Sequence, residues 1–132
     1  MILVDTSVFI EFFKNKKNEG TEKLESIIEL KIPFGISSHI YQELLQGTGS
    51  TKDFDSLKKY LDLLNFYHPL DSKKSYEEAA KIYFTCRKKG ITIRSTIDCL
   101  IAQIACEHQL KLLHHDADFD KIKQVVKELT FF

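Results

Sequence analysis

Excess charge of either sign, paired cysteines and long apolar runs are all missing from this chain. Lys plus Arg number 19 and Asp plus Glu also 19, so no global basic field announces a nucleic-acid partner, and any such contact must use local patches. The candidate patches are Lys14, Lys16 and Lys17, then Arg87, Lys88 and Lys89 with Arg94 close behind. Runs of this kind are usually solvated helix ends. The three cysteines, Cys86, Cys99 and Cys106, are odd in number, lack CxxC spacing and sit among apolar helical residues. They read as buried thiols. No apolar stretch approaches the ~20 residues that span a bilayer, and no leader pattern opens the chain, so the expectation is a cytoplasmic protein with no membrane contact. With 132 residues and neither repeat nor low-complexity linker, residues 1–132 read as one domain around one core.

What is present is an alternation of short apolar runs and amphipathic stretches. Met1-Ile2-Leu3-Val4 is continuous apolar sequence ending at Asp5-Thr6-Ser7, which fits a central strand buried on both faces, then a helix start. A helix over Val8 to Phe13, a loop from Lys14 to Gly20 and a helix from about Thr21 to Leu30 follow. Phe34-Gly35-Ile36 is a short strand, and Ser37-Ser38 caps a helix that carries Glu43. The spacing of Leu57, Tyr60, Leu61 and Leu64 predicts a further helix, with Phe66-Tyr67 a brief strand. Ser75-x-x-Glu78 and Ser95-x-x-Asp98 are capping-box patterns for two more helices, the first stopped by Gly90 and the second with an inner stripe of Ile97, Leu100, Ile101, Ile104 and Ala105. Lys111 to His114 reads as a strand, His115 to Asp118 as a turn, Phe119 to Lys127 as a helix and Leu129 to Phe132 as an edge strand. Alternation of this kind indicates a doubly wound parallel sheet flanked by helices.

Four acids, Asp5, Glu43, Asp98 and Asp116, each sit where a strand ends or a helix begins, which is where parallel sheets collect their ligands. Each has an ordinary alternative. Asp5 can cap the next helix, Glu43 can be a half-exposed helix residue, Asp98 can complete a capping box, and Asp116 with Asp118 can serve turn chemistry. As a set they point to one metal-binding crevice, because crowded carboxylates raise each other's pKa unless a cation neutralises them. Oxygen-only donors suit Mg²⁺ or Mn²⁺. Zinc fits less well, since the five histidines show no ligand spacing with the cysteines. Thr6 and Ser7 are candidates to bond a carboxylate or a bound water, with Thr6 preferred, and Arg94 and Ser95 are candidates to hold a phosphate at the helix N-terminus.

The segments Asp5-Thr6-Ser7-Val8-Phe9-Ile10-Glu11, Ile97-Asp98-Cys99-Leu100-Ile101-Ala102 and Leu113-His114-His115-Asp116-Ala117-Asp118-Phe119 resemble the PIN domain, most nearly the VapC-type toxins. The resemblance spans essentially the whole chain in order. It implies a three-layer α/β/α fold with a parallel central sheet, and a Mg²⁺- or Mn²⁺-dependent ribonuclease with Asp5, Glu43, Asp98 and Asp116 as its acidic site and Asp118 assisting. It also implies a homodimer and a small antitoxin partner whose tail enters the acidic groove. The expected chemistry is hydrolysis of an RNA phosphodiester, with Asp5, Asp98 and Asp116 holding metal and Glu43 completing the coordination or taking the nucleophile's proton. Two other readings compete with this one. One is a phosphoacceptor receiver domain, which needs adjacent acids after its first strand, where this chain has Asp5 alone. The other is a PIN-like module that binds RNA or protein without cutting.

Overall fold

The computed structural model describes residues 1–132. Strand β1 (Ile2–Val4) leads into α1 (Thr6–Phe13) and α2 (Glu19–Glu29); β2 (Phe34–Ile36) leads into α3 (Ser38–Gln46) and α4 (Thr51–Leu61). Next come β3 (Asn65–Phe66), α5 (Lys74–Lys88), α6 (Thr96–Glu107), β4 (Lys111–Leu113), α7 (Ala117–Lys123) and β5 (Thr130–Phe131). All strand pairs are parallel and the order is β3-β2-β1-β4-β5. The chain winds outward from β1 to β3, then crosses to β4 on the far side of β1, so the order reverses beside β1. Ligands in open parallel sheets bind at that reversal, beyond the carboxyl ends of the strands.

Burial follows from the apolar runs. Ile2, Leu3 and Val4 are all buried, as the central position of β1 requires, and they join a core of 28 buried apolar residues that includes Phe9, Ile101, Leu112 and Phe119. Cys86 and Cys99 are buried free thiols and Cys106 is half-buried. Burial pushes the Cys99 thiol up to about 12, so it has no thiolate to react at neutral pH. No helix is long and apolar enough to cross a membrane.

Several local expectations need correction. Ser75 lies inside α5 and does not cap it; the N-cap is Lys73, and Asp71 instead accepts from the backbone N–H groups of Lys73 and Lys74 at 2.8 and 2.5 Å. Glu78 turns outward to Lys74 and Lys81. In α4 only Leu61 is buried; Tyr60 is exposed and Leu64 falls beyond the helix end. The expected turn at His115 to Asp118 already contains a helix start, with Asp116 as N-cap, and that helix stops at Lys123. Buried residues wrap further round α6 than one stripe, adding Cys99 and Ala102 while Ile97 is only half-buried. A helix packed on the sheet and against α5 has little room for a polar face.

Gly35 shows how tightly β3 is drawn in. A Cβ at that position would collide with the carbonyl of Asn65 and the ring of Tyr67. Overpacking of this kind costs about 1–3 kcal/mol. Gly35→Ala is therefore expected to lower the denaturant midpoint accordingly; an unchanged midpoint would mean that β3 is not held at this distance.

Candidate functional site

In a parallel sheet, a helix that follows a strand starts at the carboxyl edge, and a helix that precedes a strand starts there too. This rule brings the N-termini of α1, α3, α6 and α7 to one rim, and each carries a candidate acid. Asp5 ends β1 and caps α1: Ser7 donates to Asp5 Oδ2 from both its backbone N–H (3.0 Å) and its hydroxyl (2.6 Å). The Asp5 backbone N–H donates to Leu113 O at 2.9 Å, tying it to the end of β4. Asp116 follows β4 and caps α7, accepting from Asp118 N at 2.9 Å. Glu43 is half-buried in the second turn of α3.

Asp98 stands at the third position of α6, but the capping box is only half made. Ser95 Oγ accepts from Ile97 N at 3.2 Å, and no reciprocal bond from Asp98 returns to the cap. The Asp98 carboxylate is left to face the other acids. Burial first, then the charges of Asp5, Asp116, Asp118 and Glu43, raise its pKa from 3.8 to about 7. Asp5, only 5 % exposed, is raised to about 6, chiefly by burial and further by Glu43 and Asp116, against the Ser7 hydrogen bonds that favour its charge. Four separated stretches of sequence thus share one electrostatic field.

Asp118 behaves differently. Burial pushes its pKa up, but hydrogen bonds from Arg94 and the charges of Arg94 and Lys121 outweigh that and hold it below the usual value. Its Oδ2 accepts from the backbone N–H of Arg94 at 3.0 Å and from Arg94 Nε at 3.2 Å. The second oxygen, Oδ1, is buried without a hydrogen bond and has Lys121 Nζ at 3.6 Å. Arg94 Nη2 also donates to Asp116 Oδ1 at 3.0 Å. Of the two candidates to hold a phosphate, Arg94 has its guanidinium turned onto two carboxylates, and Ser95 caps its own helix.

Of the two candidates to bond a carboxylate, Ser7 and not the preferred Thr6 makes the bond. Ser7 fixes Asp5 and in turn accepts from His115 N at 2.9 Å, linking the rims of β1 and β4. Thr6 Oγ1 is buried and bonded to nothing. The Ser7 bond to its neighbour Asp5 was legible in the sequence, whereas the bond from His115 was not, because that partner lies 108 positions away.

No three acidic, histidine or cysteine side chains are gathered tightly enough to chelate one ion as they stand. The donor chemistry nevertheless fits a hard divalent cation. The donors are all oxygen, two carboxyls are raised by burial and by their neighbours, and Arg94 pairs with Asp116 and Asp118 while neither Asp5 nor Asp98 has a cationic partner. Groups whose folded pKa is raised add stability that is full below about pH 4 and is lost as pH rises through about 6 and 7. The lowered pKa of half-buried His114 acts in the opposite sense below about 6.5 but rests on a single group. In chelator, the melting temperature is thus expected to be higher at pH 5.5 than at pH 8, and Mn²⁺ should raise it most at pH 8. A flat profile, or one rising toward pH 8, would show that the acids do not share a field.

The PIN domain model matches residues 2–125 of the chain. A VapC ribonuclease of Mycobacterium bovis is 31% identical over 126 residues, covering 95% of this chain and 93% of the relative. VapBC2 from Rickettsia felis, solved bound to a DNA fragment from its promoter, superposes with a TM-score of 0.74 at 22% identity, covering 100% of this chain and 98% of that one. A toxin-antitoxin complex from Klebsiella pneumoniae gives 0.69 at 19% identity, with 90% of each chain covered. The receiver-domain alternative is set aside by the family match. A parallel five-stranded sheet with its acids at the β1–β4 reversal, matched to the family model over 2–125, makes this chain a member of the PIN domain family.

Proposed function

We propose that this chain is a divalent-metal-dependent endoribonuclease, the toxin of a VapBC-type toxin-antitoxin pair, using Mg²⁺ or Mn²⁺. The observation that carries the reading is the shared field of Asp5, Glu43, Asp98 and Asp116, with two carboxyls raised to about 6 and 7, in a fold whose close relative is named a ribonuclease. A scaffold that never bound a cation would have no use for acids held at this cost. A cognate antitoxin is the expected protein partner, in keeping with the solved complexes of related fold, and the resemblance to the VapC-type toxins implies a homodimer. Of the aromatics available to such a dimer, Phe13 and Tyr60 are exposed, whereas Tyr41 is engaged with Asp62 and Phe66.

Asp5, Asp98 and Asp116 would hold the cation, with Glu43 completing the set. A bound divalent ion neutralises charge at the scissile phosphate and makes a water acidic enough to attack. Ser7 keeps the Asp5 carboxylate oriented, and Arg94 does the same for Asp116. Glu43, free of internal hydrogen bonds, would complete that set directly or through a water, and in the second arrangement its carboxylate oxygen would take that water's proton. Asp118 acts through Arg94 as a positioning residue.

The two basic patches separate in the structure. Lys16 pairs with Glu11 at 3.4 Å and Lys17 with Glu25 at 3.7 Å, which leaves little net charge there. Arg87, Lys88 and Lys89 are exposed and have no carboxylate partner; Arg87 lies over the Tyr83 ring at 6.0 Å and Lys88 over Phe84 at 5.6 Å. Lys89 is five residues from Arg94, within roughly 18 Å by chain reach. That end of α5 is the proposed track for the RNA backbone. The test is incubation of single-stranded RNA and DNA with purified protein in chelator, Mg²⁺ or Mn²⁺. Internal cuts in RNA only when metal is present are expected, and uncut RNA in every metal would refute the activity.

A further inference from the structure

A cavity of about 390 Å³ between α1, α3 and the start of α6 includes Glu43 in its lining, and its other lining residues have no part in the chemistry above. Two polar atoms of its lining residues are buried and unpaired, Thr6 Oγ1 and His39 Nδ1, and Thr6 is only 6 % exposed. Buried polar atoms in folded proteins nearly always find a partner, so two orphans at one cavity require an explanation. Gln42 and Gln46, four residues apart on α3 and therefore on one face, are exposed and make no hydrogen bond within the protein. Ile10 and Ile97 supply apolar wall.

We infer that this cavity receives a single nucleobase of the RNA, the one adjoining the phosphate handled by the carboxylates, and that Gln42 and Gln46 read its edge. The inference rests on the ribonuclease reading and adds a specificity site to it. A side-chain amide presents a donor and an acceptor side by side, the pattern that pairs bidentately with a base edge. Unstacked bases of single-stranded RNA are read this way, with their ring faces covered. Ile10 and Ile97 would cover the faces, while Thr6 Oγ1 and His39 Nδ1, shielded from solvent as they stand, would have to turn outward to bond the ribose 2′-hydroxyl. A phosphate is the wrong occupant, because the wall contains no Lys or Arg and includes Glu43. Since Glu43 belongs to both the cavity and the acidic set, a base seated here lies directly beside the cut.

Cleavage of a random-sequence RNA pool by the wild type, Gln42→Ala, Gln46→Ala and the double variant tests this. The wild type is expected to prefer certain bases at one position flanking the cut, and the double variant to lose roughly tenfold of that preference, the size of one bidentate contact. Preferences further from the cut should persist. Wild-type cutting without a flanking preference, or a preference kept by both single variants and the double, would overturn the inference. If the wild type cuts nothing, the ribonuclease reading fails and the cavity is judged by binding alone. The four ribonucleoside 5′-monophosphates are then titrated while the side-chain amide signals of Gln42 and Gln46 are followed by NMR. Base-dependent shifts support the cavity; absent shifts, or shifts driven only by protein concentration as in self-association, overturn it.

Discussion

Asp98→Asn is expected to lower RNA cleavage by at least ~10²-fold without unfolding the protein. Loss of a group that merely orients a metal ligand typically costs about 10–100-fold, and Asp98 is proposed as a ligand itself. The fold should survive because the Asp98 carboxylate makes no hydrogen bond that α6 depends on; Ser95 caps the helix alone. The substitution also removes a charge that burial and four neighbouring acids oppose. In chelator at pH 8 the variant should therefore melt no lower than the wild type, and its melting temperature should rise less with Mn²⁺. Circular dichroism melts alongside single-turnover cleavage check both parts. Cleavage at the wild-type rate would remove Asp98 from the site, and a melting temperature many degrees below wild type would show that it supports the fold instead.

The largest stability loss at the rim is expected for Asp118→Ala. Its carboxylate is 1 % exposed and receives two bonds from Arg94, one from the backbone and one from the side chain. Bonds to a charged group contribute about 1.5–3 kcal/mol each in buried settings. Because the Arg94 side chain is 72% exposed, its share is discounted for solvent screening. A loss of roughly 2–3 kcal/mol is expected from denaturant unfolding, with a smaller loss for Asp118→Asn, which can still accept from the backbone N–H of Arg94. If Asp118→Ala instead left stability intact and abolished Mn²⁺ binding as fully as Asp98→Asn, Asp118 would be a direct ligand.

The central strand, the acid-bearing helices and the parallel sheet were legible in the sequence because each rests on a local signal. Four apolar residues before Asp5, a serine before α3 and a serine before α6 say where chains of hydrogen bonds begin and end. Ser75 misled because a serine three residues before a glutamate satisfies the capping pattern whether or not the chain has already turned helical; Asp71 had started that turn. Within the site, the positions of the acids were readable but their inequality was not. Whether a carboxylate is raised, as for Asp98, or held low, as for Asp118, depends on Arg94 folding back across a 24-residue separation. The Ser7–His115 bond and the orphaned Thr6 hydroxyl are likewise products of tertiary placement.

That the strand-end carboxylates bind a divalent cation as one set is tested most directly by calorimetric titration of Mn²⁺ into metal-free protein at pH 7, repeated in buffers of different ionisation enthalpy. Saturable binding with release of a fraction of a proton is expected, since Asp98 titrates at about 7 and must lose its proton to become a ligand. Binding at least about tenfold weaker in Asp98→Asn should accompany it. No saturable binding up to millimolar Mn²⁺, or equal affinity and no proton release in both proteins, would contradict it.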